Sequence, residues 1–480
     1  MCKLPFISHV LNMFISCNSS IKFSYEMIPN SHLLLVYSLP FHSFRNNLGA
    51  FTKKVSTLIS NEETDDDPST FWITNPQNSF ENNVAAGSEG SGYWFELKTR
   101  VRGPSYALHP GVNPSKLPLQ SFVGNVAHSN GSGLKTYPGA GYNPEEEAAF
   151  IDSKMYRNRF NGMFFHNSGF FLVQGGTFSD NQVGVNVDRA HSLRIIGSKF
   201  IGITPSFAAL LSSSGKVGHC SNTMMVNTPN PVIGVELHSQ RNGGTKRTGV
   251  VLEDVSFAHF GEDQCPGTSA LSVDARENFG YFDPRHSVKG LIFDDDTSKI
   301  NLCKAVGSGI NVAIEDKDAS IASSAGYIVS NNSNMTTFSS CLAVSDVSCA
   351  SVCTNTCLRT LSLSVSSYSE DDLQLVVEET GGAGGQIQLL GYRDFRDEYW
   401  NTRSHWTRRF FATLPADKSY QAEFMLDNNP MWPLFVERSW EDTGGCGGSA
   451  FTLELGEGGQ KDCNQLIVNG NAEDGITGWW

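Results

Sequence analysis

The amino-acid sequence predicts an all-β protein, with a right-handed parallel β-helix over residues 46–300 and a smaller β-sandwich over residues 358–456. The first observation behind this prediction is composition. Glycine (46 residues) and phenylalanine (31) are abundant and only 18% of residues are charged, which suits short strands joined by tight turns. The second is a repeated motif of an aromatic residue, an asparagine and a glycine. The third is a series of strands after residue 358, the first of which alternates with period two.

The repeated motif predicts the coils of the β-helix. Its aromatic residues Tyr156, Phe178 and Phe200 are 22 residues apart, about the length of one coil, and such internal periods indicate a solenoid. Each strand would stack on the strand of the next coil, and an asparagine at the bend would bond its side-chain amide to a neighbouring coil. We expect this bend role for Asn83, Asn125 and Asn181. The alternative is a β-sandwich, which should show hairpin turns and no fixed period.

The two ends of the chain differ from the rest. Residues 1–45 have the outline of a signal peptide, but His9 and Asn12 interrupt its apolar part, so a wrongly chosen start inside a larger protein is the alternative. Residues 463–480 resemble the first strand of jelly-roll carbohydrate-binding modules and are too short to fold as one. We therefore interpret the chain as a fragment of a longer protein.

Residues 301–357 form a predicted connector that is rich in serine and cysteine. The spacing of its four clustered cysteines does not match the paired C-x-x-C motifs of zinc sites, so we predict disulfides in an oxidising compartment. The candidates are Cys341, Cys349, Cys353 and Cys357. Glycosylation sequons agree with secretion and occur at Asn18, Asn130, Asn331 and Asn334.

The charge balance restricts the partners. With 35 basic and 49 acidic residues the formal net charge is −14, and phosphate binding needs a concentrated basic face, so we expect no nucleic-acid partner. No run of 18 apolar residues is present, so we expect no transmembrane segment in this chain. We predict an extracellular or cell-surface protein, although the signal peptide is not convincing.

The β-helix region resembles a known family. The residues that carry the resemblance include Ser69–Pro76, Asn82–Glu89, Gly92–Phe95 and Asn125–Asn130, and the matches continue in the same order to Asp294. They are similar to the β-helix of the cell migration-inducing and hyaluronan-binding protein, cell-surface hyaluronidase and fibrocystin-L. The resemblance implies an extracellular protein linked to hyaluronan binding or depolymerisation. The family's glycine-rich upstream domain has no counterpart here, so residues proposed as catalytic in that domain cannot be transferred.

Three residues on the coils are candidates for binding a sugar. His128 has a side chain suited to a general base or to a sugar hydroxyl, and the alternative is that it caps a coil bend. Glu89 and Trp94 would combine a carboxylate with an indole, as a sugar ring needs both hydrogen bonds and stacking. The alternative places Trp94 in the core and Glu89 in a turn.

Carboxylates are numerous, but the sequence does not pair them. A glycosidase needs two facing carboxylates, and Asp152, Asp180, Asp188, Glu236, Glu253 and Asp254 are all available. A polysaccharide lyase would need a base beside a cation, commonly calcium. The acidic runs at residues 62–67 and 294–296 could attract calcium, or they are solvated loops, so we assign no metal site.

The β-sandwich carries the one local concentration of arginine. Between Tyr392 and Arg409, arginines lie among aromatic residues, and arginine can pair with a uronate carboxylate in bidentate fashion. The candidates are Arg393, Arg396 and Arg403. The alternative is internal salt bridging with the neighbouring acids.

These observations leave three functional hypotheses. The first is an extracellular β-helix protein that binds or processes a polysaccharide, with hyaluronan suggested by the resemblance alone. The second is a non-catalytic adhesion or scaffold ectodomain, and the third is a polysaccharide lyase. Whether the protein is an enzyme stays open at the level of sequence, and so does a calcium cofactor.

Overall fold

The computed structural model describes residues 41–54, 67–102, 105–137, 141–188, 190–213, 231–238, 249–261, 266–274, 286–307, 312–332, 336–337, 341–343, 347–354, 358–367, 374–381, 385–390, 392–393, 406–426, 429–430, 435–442 and 452–455. In these ranges the chain first forms a right-handed parallel β-helix, as predicted. None of the helices described there has the length and apolarity that crossing a membrane requires.

Each of the first eight coils contributes one strand to each of three parallel sheets, which we name A, B and C in the order the chain visits them. The strands are β1 (Ser43–Arg45), β2 (Leu48–Ala50), β3 (Ser69–Ile73), β4 (Ser79–Glu81), β5 (Val84–Ala86), β6 (Ser91–Phe95), β7 (Ser121–Val123), β8 (Val126–His128), β9 (Ser132–Lys135), β10 (Ala148–Ile151), β11 (Lys154–Tyr156), β12 (Asn161–His166), β13 (Gly169–Gln174), β14 (Thr177–Ser179), β15 (Val183–Asp188), β16 (His191–Ile196), β17 (Lys199–Ile201), β18 (Ile233–His238), β19 (Val250–Glu253), β20 (Ser256–Ala258), β21 (Ser269–Asp274), β22 (Ser287–Lys289), β23 (Ile292–Phe293) and β24 (Ile300–Asn301). Helix α1 (Ser105–Leu108) and a 3₁₀ helix (Pro114–Lys116) lie between β6 and β7, and α2 (Pro205–Ser213) follows β17.

Polar side chains stack at the two bends that flank sheet B. Between sheets A and B, Asn83 Nδ2 donates to Asn125 Oδ1 at 3.0 Å. Between sheets B and C, Asn130 Nδ2 donates to Asn158 Oδ1 at 3.1 Å, and Asn158 Nδ2 donates to Asn181 Oδ1 at 3.0 Å. These asparagines bond to neighbouring coils in the way that the repeated motif predicts, and they satisfy one another's buried amides.

The second of these ladders overturns the glycosylation prediction for Asn130. Its side chain is 2% exposed, and Nδ2, the atom that a glycan would occupy, also donates to Ala85 O at 3.2 Å. The prediction is wrong for the folded protein because the sequon at residues 130–132 coincides with a coil bend. Asn331 lies on an exposed turn and stays a prediction, whereas Asn18 and Asn334 lie outside the described residues.

The interior is filled by columns of side chains in register. Sheet A contributes Phe44, Phe80, Phe122 and Phe150, and sheet B contributes Met155, Phe178, Phe200 and Phe257. Opposite the sheet B column, one register position of sheet C holds glycine in five successive coils: Gly92, Gly133, Gly162, Gly184 and Gly234. A Cβ on Gly184 would lie 2.7 Å from the Phe200 ring, so the close packing of the two sheets requires glycine there.

The predicted connector closes the end of the β-helix. Helix α3 (Cys303–Gly307) and β25 (Ala313–Asp316) continue the winding, and β26 (Gly326–Ser330), β27 (Cys341–Ala343) and β28 (Ala350–Cys353) extend sheet A in antiparallel fashion. Asp316 ends a core column of sheet A, and its buried carboxylate accepts backbone N–H groups of residues 320–322. These residues therefore cap the solenoid core.

Among the described residues, two disulfides join residues of this cap. Cys341 pairs with Cys353, and Cys349 pairs with Cys303 of α3, which lies 46 residues earlier. Three of the four predicted cysteines are thus disulfide-bonded, and Cys357 lies outside the described residues. The sequence did not single out Cys303, because it is distant from the cluster along the chain.

The last described strands form two antiparallel sheets with one parallel pairing at the end. They are β29 (Leu358–Ser367), β30 (Gln374–Glu379), β31 (Gln386–Leu390), β32 (Tyr392–Arg393), β33 (Trp406–Pro415), β34 (Ser419–Leu426), β35 (Asn429–Pro430), β36 (Phe435–Asp442) and β37 (Thr452–Leu455). Phe410 of one sheet contacts Phe424 of the other with ring centroids 5.8 Å apart, which is sandwich packing. At the amino-terminal end, β1 begins at Ser43, within the segment that the sequence assigned to a leader. Residues 1–40 and 456–480 lie outside the described residues.

Candidate functional site

The outer face of sheet C differs from those of sheets A and B. Outward side chains of the other two sheets are partly or fully exposed, as at Arg194 in sheet A and Lys154 in sheet B. On sheet C, by contrast, Lys135 is 8% exposed and Asp188 is 2% exposed. Ionisable groups are seldom buried on the outside of a sheet unless they are paired, so this face merits description residue by residue.

The first row of outward side chains on sheet C runs across six coils in register. Trp72 stacks on Trp94 with ring centroids 5.9 Å apart, and Lys135 Nζ lies 4.7 Å from the centroid of the Trp94 ring. Further along, Asn186 Nδ2 donates to Glu236 Oε2 at 2.9 Å. The row consists of Trp72, Trp94, Lys135, Phe164, Asn186 and Glu236.

A second row lies two residues further along each strand. Glu96 Oε2 accepts a hydrogen bond from Trp72 Nε1 at 2.9 Å, which ties the two rows together. Lys98 Nζ lies 2.8 Å from the other Glu96 oxygen. The second row consists of Glu96, Tyr137, His166 and Asp188, and we call both rows together the sheet C strip.

An imidazole and a carboxylate form the centre of the second row. His166 Nδ1 and Asp188 Oδ2 are 2.7 Å apart, and both side chains are buried. An ionised carboxylate only accepts hydrogen bonds, so this contact assigns a proton to Nδ1 of His166. The Tyr137 ring lies over the imidazole with centroids 4.4 Å apart, and Tyr137 is 46% exposed. Phe164 completes the group, with its ring 5.8 Å from that of His166.

Buried polar groups also mark the other end of the strip. Burial lowers the pKa of the Lys135 ammonium, and the carboxylate of Asp67, which pairs with it, opposes that shift. The Trp94 Nε1 atom is buried and has no hydrogen-bond partner among the described residues. The strip as a whole contains aromatic rings, carboxylates, an amide and an imidazole, and groups of these kinds stack on sugar rings and bond to hydroxyls.

Two of the candidates from the sequence lie away from the strip. Glu89 lies beside the bend between sheets B and C and pairs with Lys53 at 3.0 Å, and the backbone N–H of Lys54 holds its pKa below the ordinary value. His128 lies on the outer face of sheet B, where it stacks on Tyr156 at 4.8 Å. Burial first, and then the charge of Arg157, lowers the pKa of His128. Their sugar-binding roles stay predictions.

Trp94 lies on the strip, but its contacts are with Trp72 and Lys135 rather than with Glu89. Its ring is buried, as the alternative from the sequence expected, although it faces outward from sheet C and not into the core. Arg393 lies in β32, and its side chain lies outside the described part of the structure. Arg396 and Arg403 lie outside the described residues.

The calcium prediction concerns a different part of the surface. Asp294 and Asp296 lie with His259 so that one ligand atom of each falls within 4.8 Å of the others. A hydrogen bond with Asp294 lowers the pKa of Asp296. The group is partly exposed and includes an imidazole, whereas calcium takes oxygen ligands, so calcium here stays a prediction. Of the other acidic run, Asp67 is described, and it pairs with Lys135.

From the sequence, Asp188 and Glu236 were named only as available carboxylates, without an assigned partner, and His166 and Tyr137 were missed. A signal for the pair was present, because His166 and Asp188 are 22 residues apart, the same interval as the aromatic repeat. Residues one coil apart at equal register face the same way and touch. Tyr137 carried no such signal, since it follows the end of β9.

Residues 38–134 match the family model described as CEMIP beta-helix. Mouse fibrocystin-L is 27% identical over 233 residues, which cover 47% of this chain and 5% of that protein. The human cell migration-inducing and hyaluronan-binding protein is 24% identical over 269 residues, covering 47% of this chain and 19% of its own. The human cell surface hyaluronidase CEMIP2 is 30% identical over 172 residues, or 28% of this chain and 12% of the relative.

The chain thus spans less than a fifth of the length of each of these relatives. Among solved structures, tailspike protein 2 of an Escherichia coli bacteriophage aligns with 79% of this chain and 59% of its own at 10% identity and a TM-score of 0.26. The motifs quoted from Ser69 to Asn130 fall inside the matched segment. Residues 38–134, the first coils of the β-helix, therefore match the CEMIP beta-helix family.

Proposed function

We propose that this protein binds a polysaccharide along the sheet C strip, and that it does so outside the cell. The observation that carries the proposal is the strip itself, in which aromatic rings and hydrogen-bonding groups occupy two rows on the outer face of one sheet. Two of the relatives support the ligand class, because their names refer to hyaluronan. The two disulfides of the cap support an oxidising compartment.

The dimensions of the strip suit a polymer rather than a single sugar. Neighbouring strands lie about 4.8 Å apart, so the six strands from β3 to β18 extend over about 24 Å. Phe164 and Tyr137 offer rings for stacking near the middle of that length. A linear glycan lying across the strands would contact the same kinds of group on successive coils.

The proposal is tested by measuring how strongly immobilised hyaluronan and other size-defined glycans retain the full chain. Tyr137→Ala removes an exposed ring from the strip, and we expect it to weaken retention about tenfold, since a central aromatic contact contributes more than about 1 kcal/mol. Tyr156→Ala is the matched control, because it removes a tyrosine from the outer face of sheet B. Equal loss in both variants, or no retention of the unaltered protein by any glycan, would contradict the proposal.

A further inference from the structure

A separate cluster of polar side chains lies beyond the sheet C strip, at the bend between sheets B and C in the seventh and eighth coils. His259 follows β20 in the seventh coil, and Asp294 and Asp296 follow β23, the strand that pairs with β20, in the eighth. One ligand atom of each residue lies within 4.8 Å of the others. The stacking of two coils therefore brings together groups that are about one long coil apart in sequence.

The negative charge of this cluster has no protein cation beside it other than the imidazole. Among the described residues, no lysine or arginine forms an ion pair with Asp294 or Asp296. The two carboxyl groups are close enough to hydrogen-bond to each other. Ionised carboxylates only accept hydrogen bonds, so this approach requires a proton or a metal cation between them. All three side chains are partly exposed, so a cation can reach them from solvent.

The spacing of the ligand atoms distinguishes among cations. His259 Nδ1 lies 3.4 Å from Asp296 Oδ2 and 3.7 Å from Asp294 Oδ2. Zinc binds nitrogen and oxygen at about 2.0–2.2 Å in tetrahedral geometry, which places neighbouring ligand atoms about 3.3–3.6 Å apart. Magnesium needs an octahedron with ligand atoms about 3.0 Å apart, and both magnesium and calcium take oxygen ligands. The distances and the imidazole therefore favour zinc.

We infer that His259, Asp294 and Asp296 bind a zinc ion that links the seventh and eighth coils. Three protein ligands leave the fourth tetrahedral position to a water molecule. The carboxylate of Asp294 is already held for this role, because its Oδ2 accepts the backbone N–H of His259 at 3.0 Å and its Oδ1 accepts the hydroxyl of Thr297. Outer contacts of this kind orient the carboxylates that bind metals.

The place of the cluster in the fold explains what the ion would contribute. At the same bend of earlier coils, Asn130, Asn158 and Asn181 form a polar ladder, and each lies two residues after a sheet B strand. In the seventh coil the equivalent position, two residues after β20, is Phe260, whose side chain cannot donate or accept a hydrogen bond. A zinc ion would supply the polar connection between coils that the ladder supplies earlier in the stack.

The test measures zinc binding by the full chain after removal of bound metal with a chelator. Zinc chloride and, separately, calcium chloride are titrated into the protein, with calorimetry and thermal unfolding as readouts. We expect zinc to bind and to raise the unfolding midpoint, since a ligand of the folded state stabilises it. We also expect cobalt(II) in the same site to give the intense visible absorption of a tetrahedral complex.

Variants locate the ion. His259→Asn removes the imidazole, and asparagine tolerates the φ of 59° at this position, so the bend should keep its conformation. Asp296→Asn removes one carboxylate. We expect zinc affinity to fall at least about tenfold in each variant, because loss of an outer hydrogen-bond partner alone costs about 10–100-fold. His109→Asn, an exposed histidine outside the cluster, is the matched control and should bind zinc as the unaltered protein does.

The comparison of variants decides the outcome, because the chain contains 12 histidines and 11 cysteines that could bind zinc elsewhere. Equal zinc affinity in His259→Asn, Asp296→Asn and His109→Asn would overturn the inference, as would the absence of zinc binding by the unaltered protein. Displacement of zinc by an equal concentration of calcium would also overturn it, since the site would then be a calcium site. The inference does not depend on the proposed function, and glycan retention should be unchanged in all three variants.

Discussion

The asparagine ladder between sheets B and C makes a quantitative prediction about stability. Asn158 is buried, and its side chain makes four hydrogen bonds: it accepts from the backbone N–H and the Nδ2 of Asn130 and donates to Ala127 O and Asn181 Oδ1. Asn158→Ala removes all four. Each buried hydrogen bond contributes about 1 kcal/mol net, and a buried N–H left without a partner costs about 1–3 kcal/mol. Because such terms are not additive, we expect a loss of about 4 kcal/mol in the free energy of unfolding.

Asn161→Ala is the matched control for this measurement. Asn161 lies in the same coil, and its side chain makes no hydrogen bond within the described residues, so its loss should cost about 0.5 kcal/mol or less. Urea denaturation followed by circular dichroism measures both variants. If Asn158→Ala lies within about 1 kcal/mol of Asn161→Ala, the ladder does not stabilise the coils in the way argued here.

Three further predictions concern the core, the cap and sheet B. Gly184→Ala places a Cβ 2.6 Å from Gly234 O and 2.7 Å from the Phe200 ring, so thermal unfolding should show that the free energy of unfolding falls by at least about 2 kcal/mol. Gly111→Ala is the control, and it should be neutral because its Cβ would have no atom within 4 Å. The double variant Cys303→Ser, Cys349→Ser removes a disulfide between residues 46 apart in sequence and should lower the free energy of unfolding by about 4 kcal/mol, as measured by denaturant titration. An unchanged denaturation midpoint would contradict this. Because folding lowers the pKa of His128, the neutral imidazole contributes to stability above pH 6.5, and this contribution is lost as the pH falls. An NMR titration of His128 should give a midpoint below pH 6.5 that rises in Arg157→Gln. A midpoint at or above pH 6.5 in the unaltered protein would refute this.

The fold could be predicted from sequence because its signals are local and periodic. The 22-residue interval between Phe178 and Phe200 is the coil length, and their rings stack with centroids 4.7 Å apart. Tyr156 was placed one position out of register, because Met155 is the buried residue that pairs with Phe178 and Tyr156 faces outward. The cap was harder to predict. Beyond β25 the chain turns to antiparallel pairing, and Cys303 lies far from its partner in sequence, so neither feature follows a period.

The candidate site depends on register, which the sequence shows only where two coils have equal length. Between His166 and Asp188 they do, but long insertions separate β6 from β7 and β17 from β18, so Trp94, Lys135 and Glu236 carry no common interval. Glu89 and Trp94 were grouped because they are five residues apart, yet Glu89 lies beside a bend and Trp94 on the outer face of sheet C. Nearness along the chain does not decide which side chains meet in a solenoid, because each contact there joins two coils.

The central claim is that a polysaccharide lies on the outer face of sheet C, and a crystal structure with a bound oligosaccharide tests it most directly. The oligosaccharide should be of a glycan that the protein retains and long enough to contact several strands. We predict that its sugar rings lie across β9, β12, β15 and β18, with Tyr137 and Phe164 as stacking partners. Sugar density on the outer face of sheet A or B, with the sheet C strip unoccupied, would contradict the account.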